Sequence, residues 1–536
     1  MYNALYNAFE NGSFHFKKET STAWKGVRMM HRRDFLRIAT GSCVGAMSAR
    51  LLNPLSARAA NRDTVDVTLT SQPFRFSPAP RVTFSGLAYN GQLPGPVLRV
   101  RYGQRFRGLY INHSGSDSTV HWHGMLLPND MDGVPDVTQK PVLDGGTFLY
   151  EFTPNPPGFR WYHSHVTPQL TLGLFGAFIV EDPRDEQANV EAALVFHDVP
   201  DMNSYRQALA GLSRTPMIAP LDSPELTAMK MHGMGKPDGM KGMANRSGMA
   251  GAMKHPMGSQ PMGDEVAYLA RCINGATYPR TRPITVKVGQ RVRLRILNAS
   301  PTLTHYIALG GHKLRVTHTD GNPMPRPIAV DALRIGVAER YDAWFEVTRP
   351  GAWLLEAIAD DSLAIGQSLR IQRPGMERTE AVRPPQTLEG VDYFTYQKAG
   401  DADPAYRPLD VGRIHVQEDL VLGQGTSDKW KWTINGATWP DTPKILVHAG
   451  DRVLVRFHNP TNMEHPMHQH GHLFQLVEIN GQRLRFPLPK DTSLVPANGG
   501  TAACLFEATS PPGRWVLHCH NAVHLADGMM TEVRYI

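Results

Sequence analysis

The sequence predicts an all-β protein built from three consecutive β-sandwiches. Short runs of β-branched and apolar residues, such as RVRLRILN and RVLVRFHN, are punctuated by Gly, Pro and Asn, the pattern of sandwich strands and their turns. One such unit recurs three times, the signature of a repeated fold. The 536 residues are enough for three or four cores of about 150 residues each.

The repeat aligns with little forcing. Its copies are YNGQLPGPVLRVRYGQRFRGLYIN (89–112), INGATYPRTRPITVKVGQRVRLRILN (273–298) and INGATWPDTPKILVHAGDRVLVRFHN (434–459). In each, an Asn-Gly turn leads into a strand and then into a Gly-Gln or Gly-Asp turn. Gly103, Gly289 and Gly450 each precede Asn112, Asn298 and Asn459 by nine residues. The expected boundaries are 61–185, 186–375 and 376–536, with joints near 183–190 and across the Pro-rich stretch 374–385.

A leader of 1–60 precedes the repeats. It holds nine basic and three acidic residues, which is +6 of the chain's formal +7. The body is therefore close to neutral, which argues against a nucleic-acid-binding surface. Arg32 and Arg33 precede Phe35-Leu36 and a mildly apolar stretch, and Ala57-Arg58-Ala59 offers small residues at cleavage spacing. This resembles a twin-arginine export signal and implies a periplasmic protein. Translation is expected to begin at Met29 or Met30, with cleavage near Ala60. No apolar run has the roughly 18–20 residues needed to span a bilayer, and Cys43 lacks a lipoprotein context. Four cysteines in the whole chain exclude a disulfide-built scaffold.

One stretch interrupts the second unit. An insert over about 205–263 contains MKMHGMGKPDGMKGMANRSGMAGAMKHPMGSQPM (229–262), with nine of the chain's 23 methionines: Met229, Met231, Met234, Met240, Met243, Met249, Met253, Met257 and Met262. Gly, Lys and Pro fill the gaps without helical or strand period, so a loop is expected.

Four histidine clusters carry the chemistry. They are His121-Trp122-His123, His163-Ser164-His165, the run His465-Pro466-Met467-His468-Gln469-His470, and His518-Cys519-His520 followed by His524 and Met529. In a strand, residues i and i+2 share a face, so each His-x-His pair aims two imidazoles at one point. Four pairs suffice to surround a compact multi-metal centre. Cys519, between two such histidines, must face the other way and ligate a different metal. His524, Met529 and the spare His465 complete two imidazoles, a thiolate and a thioether, the donor set of a blue-copper site. The first two clusters alone would also suit a zinc hydrolase; the Cys-centred fourth would not.

Together the clusters resemble the signature of three-domain multicopper oxidases, the family of laccases, ascorbate oxidase and bacterial copper-resistance oxidases. The resemblance covers essentially all of the chain beyond the leader. It implies three cupredoxin-like Greek-key sandwiches holding four copper ions. Carried over by position, a type 1 copper would take His465, Cys519, His524 and axial Met529. A type 2 copper would take His121 and His468, and a type 3 pair His123, His163, His165, His470, His518 and His520. Cys519 with His518 and His520 would conduct electrons between the sites. Asp132, in MDGVPD, resembles the family's acidic residue beside the oxygen-binding coppers, although an Asp-Gly turn explains it equally well. Val523 stands where some bacterial relatives carry a Glu.

The implied reaction couples four one-electron oxidations to the reduction of dioxygen to water. Soft thioethers suit Cu(I), so the Met-rich stretch favours cuprous ion as donor and a role in copper tolerance. Two alternatives stand beside it: a broad laccase acting on phenols or aromatic amines, and a non-catalytic copper-binding scaffold. All ligands lie in one chain, which fits a monomer. Cys272 and Cys504 are open to pairing, to burial as free thiols, or to no role.

Overall fold

In the computed structural model the repeated segment becomes the same strand, paired the same way, three times. Arg105–Asn112 lies parallel to Thr64–Phe76 and antiparallel to Thr147–Phe152. Arg291–Asn298 has the same relation to Val190–Pro200 and Arg340–Glu346. Arg452–Asn459 has it to Val416–Gln424 and Gly500–Glu507. Side chains in the first and third copies alternate between buried and less buried positions, the period-two pattern of a strand with one face on a core. The preceding turns demand left-handed backbone: Asn90, Asn274 and Asn435 have φ near 50°, each followed by a glycine of positive φ. This is the type I′ geometry that Asn-Gly favours.

The structure describes residues 63–210, 265–358, 367–385, 392–397, 400–404, 406–410, 412–425 and 431–536, all within one compact unit, Ser56–Ile536. The leader signal and the Met-rich stretch 229–262 lie outside the described residues. Among the described residues thirty strands form six sheets, making the all-β, three-sandwich expectation correct. The second and third sandwiches each pair a six-stranded with a five-stranded sheet, and their strand orders are identical. The first is a shortened version with two four-stranded sheets. Where its siblings place three further strands, it has only the loop between His121–His123 and Thr147–Phe152. One hydrophobic cluster runs through all three sandwiches. Among the described residues no helix is long and apolar enough to cross a membrane.

Each central strand ends on a buried asparagine that ties the following loop. Asn112 donates to the carbonyls of Ser116 and Val142 and accepts from the Ser114 amide. Asn298 does the same with Leu303, Ile335 and Ser300, and Asn459 with Met463, Pro496 and Thr461. In the first and third sandwiches this loop delivers the chain to the histidine strands. The helix Met202–Leu209 takes up the first residues of the stretch assigned by sequence to the insert. Asp201 caps it by accepting the Asn203 and Ser204 amides, and Tyr205 and Ala208 are buried. Cys272 and Cys504 are separate buried free thiols.

Candidate metal centre

Two pairs of antiparallel strands bring the clusters together. His121–His123 pairs with Gly158–His163, setting His121 opposite His163. His465–Gln469 pairs with Arg514–Cys519, setting His468 opposite His518 and Met467 opposite Cys519. The first pair belongs to the first sandwich and the second to the third, so the cluster lies where these two meet. His121 and His470 stack at 3.8 Å between ring centroids, and His123 and His468 at 3.6 Å. His163 and His520 lie 5.1 Å apart, as do His165 and His518. All eight are buried except His165, which is partly exposed.

The nitrogens divide into those that are held and those left bare. Nδ1 of His121 donates to the Asp132 carbonyl (2.7 Å), that of His468 to the Asp491 carbonyl (2.8 Å), and that of His470 to Asp132 Oδ2 (2.8 Å). His163 and His518 use Nδ1 on the Ser164 and Cys519 carbonyls, both at 2.9 Å. His123 is reversed: its Nε2 faces Asp491 Oδ1 at 3.1 Å. Nε2 of His121, His163 and His468, Nδ1 of His123, and both nitrogens of His520 remain buried and without a partner among the described residues. Nε2 of His470 lies only 3.1 Å from that of His518, which is 3.4 Å from that of His165.

Buried lone pairs aimed at one another are unfavourable unless something positive lies between them. Burial, reinforced by repulsion among the rings, holds His123, His163, His165, His468, His470 and His520 well below the ordinary imidazole range. Burial also takes His518 down to about 4. Neutral imidazoles fixed from behind by carbonyls and carboxylates are the arrangement of metal ligands. The orphaned nitrogens and the all-imidazole donor set therefore fit copper.

A second site faces the opposite side of the Arg514–Cys519 strand. Cys519 Sγ lies 3.3 Å from His524 Nδ1 and 3.7 Å from His465 Nδ1, and those two nitrogens are 3.0 Å apart. His465 is aimed by its Nε2–H, which donates to the Thr461 hydroxyl at 3.0 Å. His524 is carried by the helix Ala522–Asp527. Asn521 caps that helix by accepting the Val523 and His524 amides, an interaction worth about 1 kcal/mol, and Gly528 ends it in left-handed backbone. Val523 is buried in its first turn. Met529 is fully buried in the same core cluster as Cys519, and its carbonyl accepts the Cys519 amide at 3.0 Å. Burial pushes the Cys519 thiol well above its usual range, so the thiolate needs a bound cation to form. Two imidazoles and a thiolate, with the buried Met529 one backbone hydrogen bond away, suit copper here as well.

Asp132 is both a turn residue and part of the cluster. It ends the short 3-10 helix Asn129–Met131, within the loop that replaces three strands. Gly133 follows at φ 81°, where a Cβ would collide with the Val120 carbonyl. That close approach presses Asp132 against His121 and His470, leaving its Oδ1 buried without a hydrogen bond. Sequence patterns do not mark the other supporting residues. Asp491 and Thr492 sit behind His123 and His468, and Trp161 packs on His123, His163 and His520. Glu265 Oε2 lies 3.1 Å from His524 Nε2, and Trp432 covers His524 at 3.9 Å while donating to Glu265. Asp527, beside them, is raised to about 7 by burial. The nine loop methionines lie outside the described residues.

Comparison with known proteins agrees with this geometry. Three family models, each described as multicopper oxidase, match residues 72–185, 243–372 and 415–536. Multicopper oxidase MmcO of Mycobacterium tuberculosis is 33% identical over 505 residues, spanning 93% of this chain and 92% of its own. A copper resistance protein A homolog of Pseudomonas syringae is 24% identical, spanning 84% and 89%. The crystal structure of a laccase from Botrytis aclada superposes with a TM-score of 0.67 at 21% identity, covering 88% of this chain and 87% of that one, a likeness of fold. With three family models along its length and a relative of that coverage, the chain belongs to the multicopper oxidases.

Proposed function

We propose that this oxidase takes electrons singly from cuprous ion and delivers them to dioxygen, serving copper tolerance. The carrying observation is the segment His518-Cys519-His520, whose thiol faces one ligand set while its flanking imidazoles face another. His465, Cys519, His524 and Met529 would hold a type 1 copper, and His121 with His468 a type 2 copper. His123, His163, His165, His470, His518 and His520 would hold a type 3 pair. Copper at these places supplies one-electron redox chemistry at the first site and binding and four-electron reduction of oxygen at the second.

The protein's own groups do the rest. The Cys519 carbonyl accepts the His518 Nδ1–H at 2.9 Å, so two routes, the peptide bond and this hydrogen bond, link thiol to imidazole. Asp132 holds His470 through Oδ2 and keeps a free, buried Oδ1 beside His121. It is placed to accept a proton and pass it inward.

Two features support a cationic donor. Glu265 sets a carboxylate against His524 Nε2, the outward end of the mononuclear site. The helix Met202–Leu209, N-terminal to the Met-rich stretch, packs on the helix Ala522–Asp527 that carries His524, and Glu265 follows three residues after Met262. The described residues that flank that stretch thus lie against His524 or the helix that carries it, and the sequence between them holds nine thioethers. The twin-arginine-like leader supports export to the periplasm, and a ligand set drawn from one chain supports a monomer. Steady-state oxidation of Cu(I) and of a small phenol, with and without 229–262, tests the substrate. Deletion should depress cuprous turnover and spare or raise phenol turnover. Unchanged cuprous turnover would overturn the role given to 229–262, and phenol turnover far above cuprous turnover in the intact protein would favour a broad laccase instead.

A further inference from the structure

The second sandwich gives no histidine to either ligand set, yet it reaches the larger one with a charge. Arg340, at the start of the strand Arg340–Glu346, is fully buried. Its Nη1 donates to Asp491 Oδ1 at 2.7 Å and its Nη2 to Asp491 Oδ2 at 2.6 Å, a bidentate fork. The other guanidinium hydrogens go to backbone carbonyls of Phe159, Asp320 and Ala338. One side chain therefore bonds to all three sandwiches.

Asp491 passes that constraint to the histidines. Oδ1, held by the fork, also receives His123 Nε2 at 3.1 Å and the Thr492 hydroxyl at 3.0 Å. The Asp491 carbonyl receives His468 Nδ1, and its amide is bonded to Asp320 Oδ2. Around it Arg160, Arg340 and Lys490 face Asp320, Glu339 and Asp491, all buried. A carboxylate gripped on both oxygens cannot turn away, so the ring opposite it must keep its proton on Nε2. His123 accordingly presents Nδ1, whereas His121, His163 and His468 present Nε2.

We propose that Arg340 is a positioning residue of the histidine cluster: by clamping Asp491 it selects which nitrogen of His123 faces the metal. The second sandwich thereby governs a centre to which it gives no ligand. This rests on the copper assignment above, and wild-type copper content and electron paramagnetic resonance test that assignment separately. A wild type lacking non-blue copper would sink the assignment; the variants address only Arg340.

Arg340→Met, Arg340→Lys, Asp491→Asn and the double variant Arg340→Met/Asp491→Asn should be loaded with copper and dialysed against a chelator. The blue thiolate absorption of the separate Cys519 site reports folding in every sample. In Arg340→Met the blue band should persist, while copper retention at the cluster weakens about 10–100-fold, the usual effect of losing an outer partner of a ligand histidine. The non-blue resonance signal should change with it. Arg340→Lys keeps the charge without the fork and should be intermediate. The double variant should be no worse than Asp491→Asn alone, because Arg340 acts through that carboxylate. A blue Arg340→Met protein with unaltered signal and retention, or additive losses in the double variant, would overturn the proposal. If Arg340→Met yields no blue protein, Arg340→Lys decides, and wild-type retention and signal there overturn it equally.

Discussion

The first and third sandwiches fold the same scaffold around two different answers at one place. In the third, His465, Cys519 and His524 converge with bare nitrogens 3.0 Å apart. In the first, Ser118, Ser164 and Gln169 hold the corresponding positions: three residues before the first paired histidine, one after His163, and five further on. The backbone match extends to a hydrogen bond, Ser164 amide to Leu174 carbonyl at 2.9 Å against Cys519 amide to Met529 carbonyl at 3.0 Å. Here Gln169 Oε1 accepts both serine hydroxyls, at 2.7 and 2.6 Å, and its amide donates to Ser116 and to the Asp117 carbonyl. Every group is satisfied without a cation. The second sandwich has His305 and Ala357 at the places of His465 and Cys519, with the Ala357 amide donating to the Gln367 carbonyl as the Cys519 amide does to that of Met529, and His305 lies against Asp198 at 3.2 Å. One scaffold thus carries either converging imidazoles and a thiol or a hydrogen-bonded plug, and in the first and third sandwiches three side chains decide which.

Replacing the donor set breaks the comparison most severely. Cys519→Ser makes the third site resemble the first, and the blue absorption should vanish. Oxygen uptake with any donor should fall further than the ~10–100-fold typical of losing an outer partner; spectra and an oxygen electrode check both. Asp132→Asn touches only the larger cluster. It should lower oxygen uptake or cluster copper retention about 10–100-fold while the colour of the Cys519 site stays. Loss of colour would show that the two sites are not separable.

The second sandwich keeps charges rather than metal, and acid should reveal it. Burial works to raise the Asp342 carboxyl, but Arg295 and Arg293 outweigh it and bring it to about 2. A depressed carboxylate stabilises the fold above its unfolded value and loses that contribution as protons bind. About 2–3 kcal/mol should disappear as pH falls from about 4 through 2. Denaturant titrations of Asp342→Asn should lack that component, and copper removal should leave it unmoved. The smallest effect is expected at the plug. Gln169→Leu strips the acceptor from two buried serines and should lower unfolding stability by about 1–2 kcal/mol, with copper content and colour unchanged. A loss of copper there would contradict the separation of the first sandwich's plug from its histidines.

The sequence made the repeated strand visible because Asn-Gly turns and period-two burial are local properties. His-x-His pairs were legible for the same reason: strand geometry alone converts their spacing into a shared face. Gln169 was within reach too, since it follows Ser164 at the spacing by which His524 follows Cys519. Asp491, Arg340 and Glu265 were not legible. Each is a single polar residue brought to the site from far along the chain, and no local period marks it. Arg340 comes from a sandwich without ligands, so only the assembled junction shows its partner. Cys272 and Cys504, ambiguous in sequence, are buried thiols on separate strands.

A one-electron site wired to an oxygen-reducing site in one chain would reveal itself in electron counts. The direct test is stoichiometry: copper bound per chain, together with electrons consumed per dioxygen and hydrogen peroxide released, using Cu(I) or a phenol as donor. Four coppers, a blue protein, four electrons per dioxygen and no accumulating peroxide are expected. A colourless copper-loaded protein, or two electrons per dioxygen with peroxide building up, would contradict this.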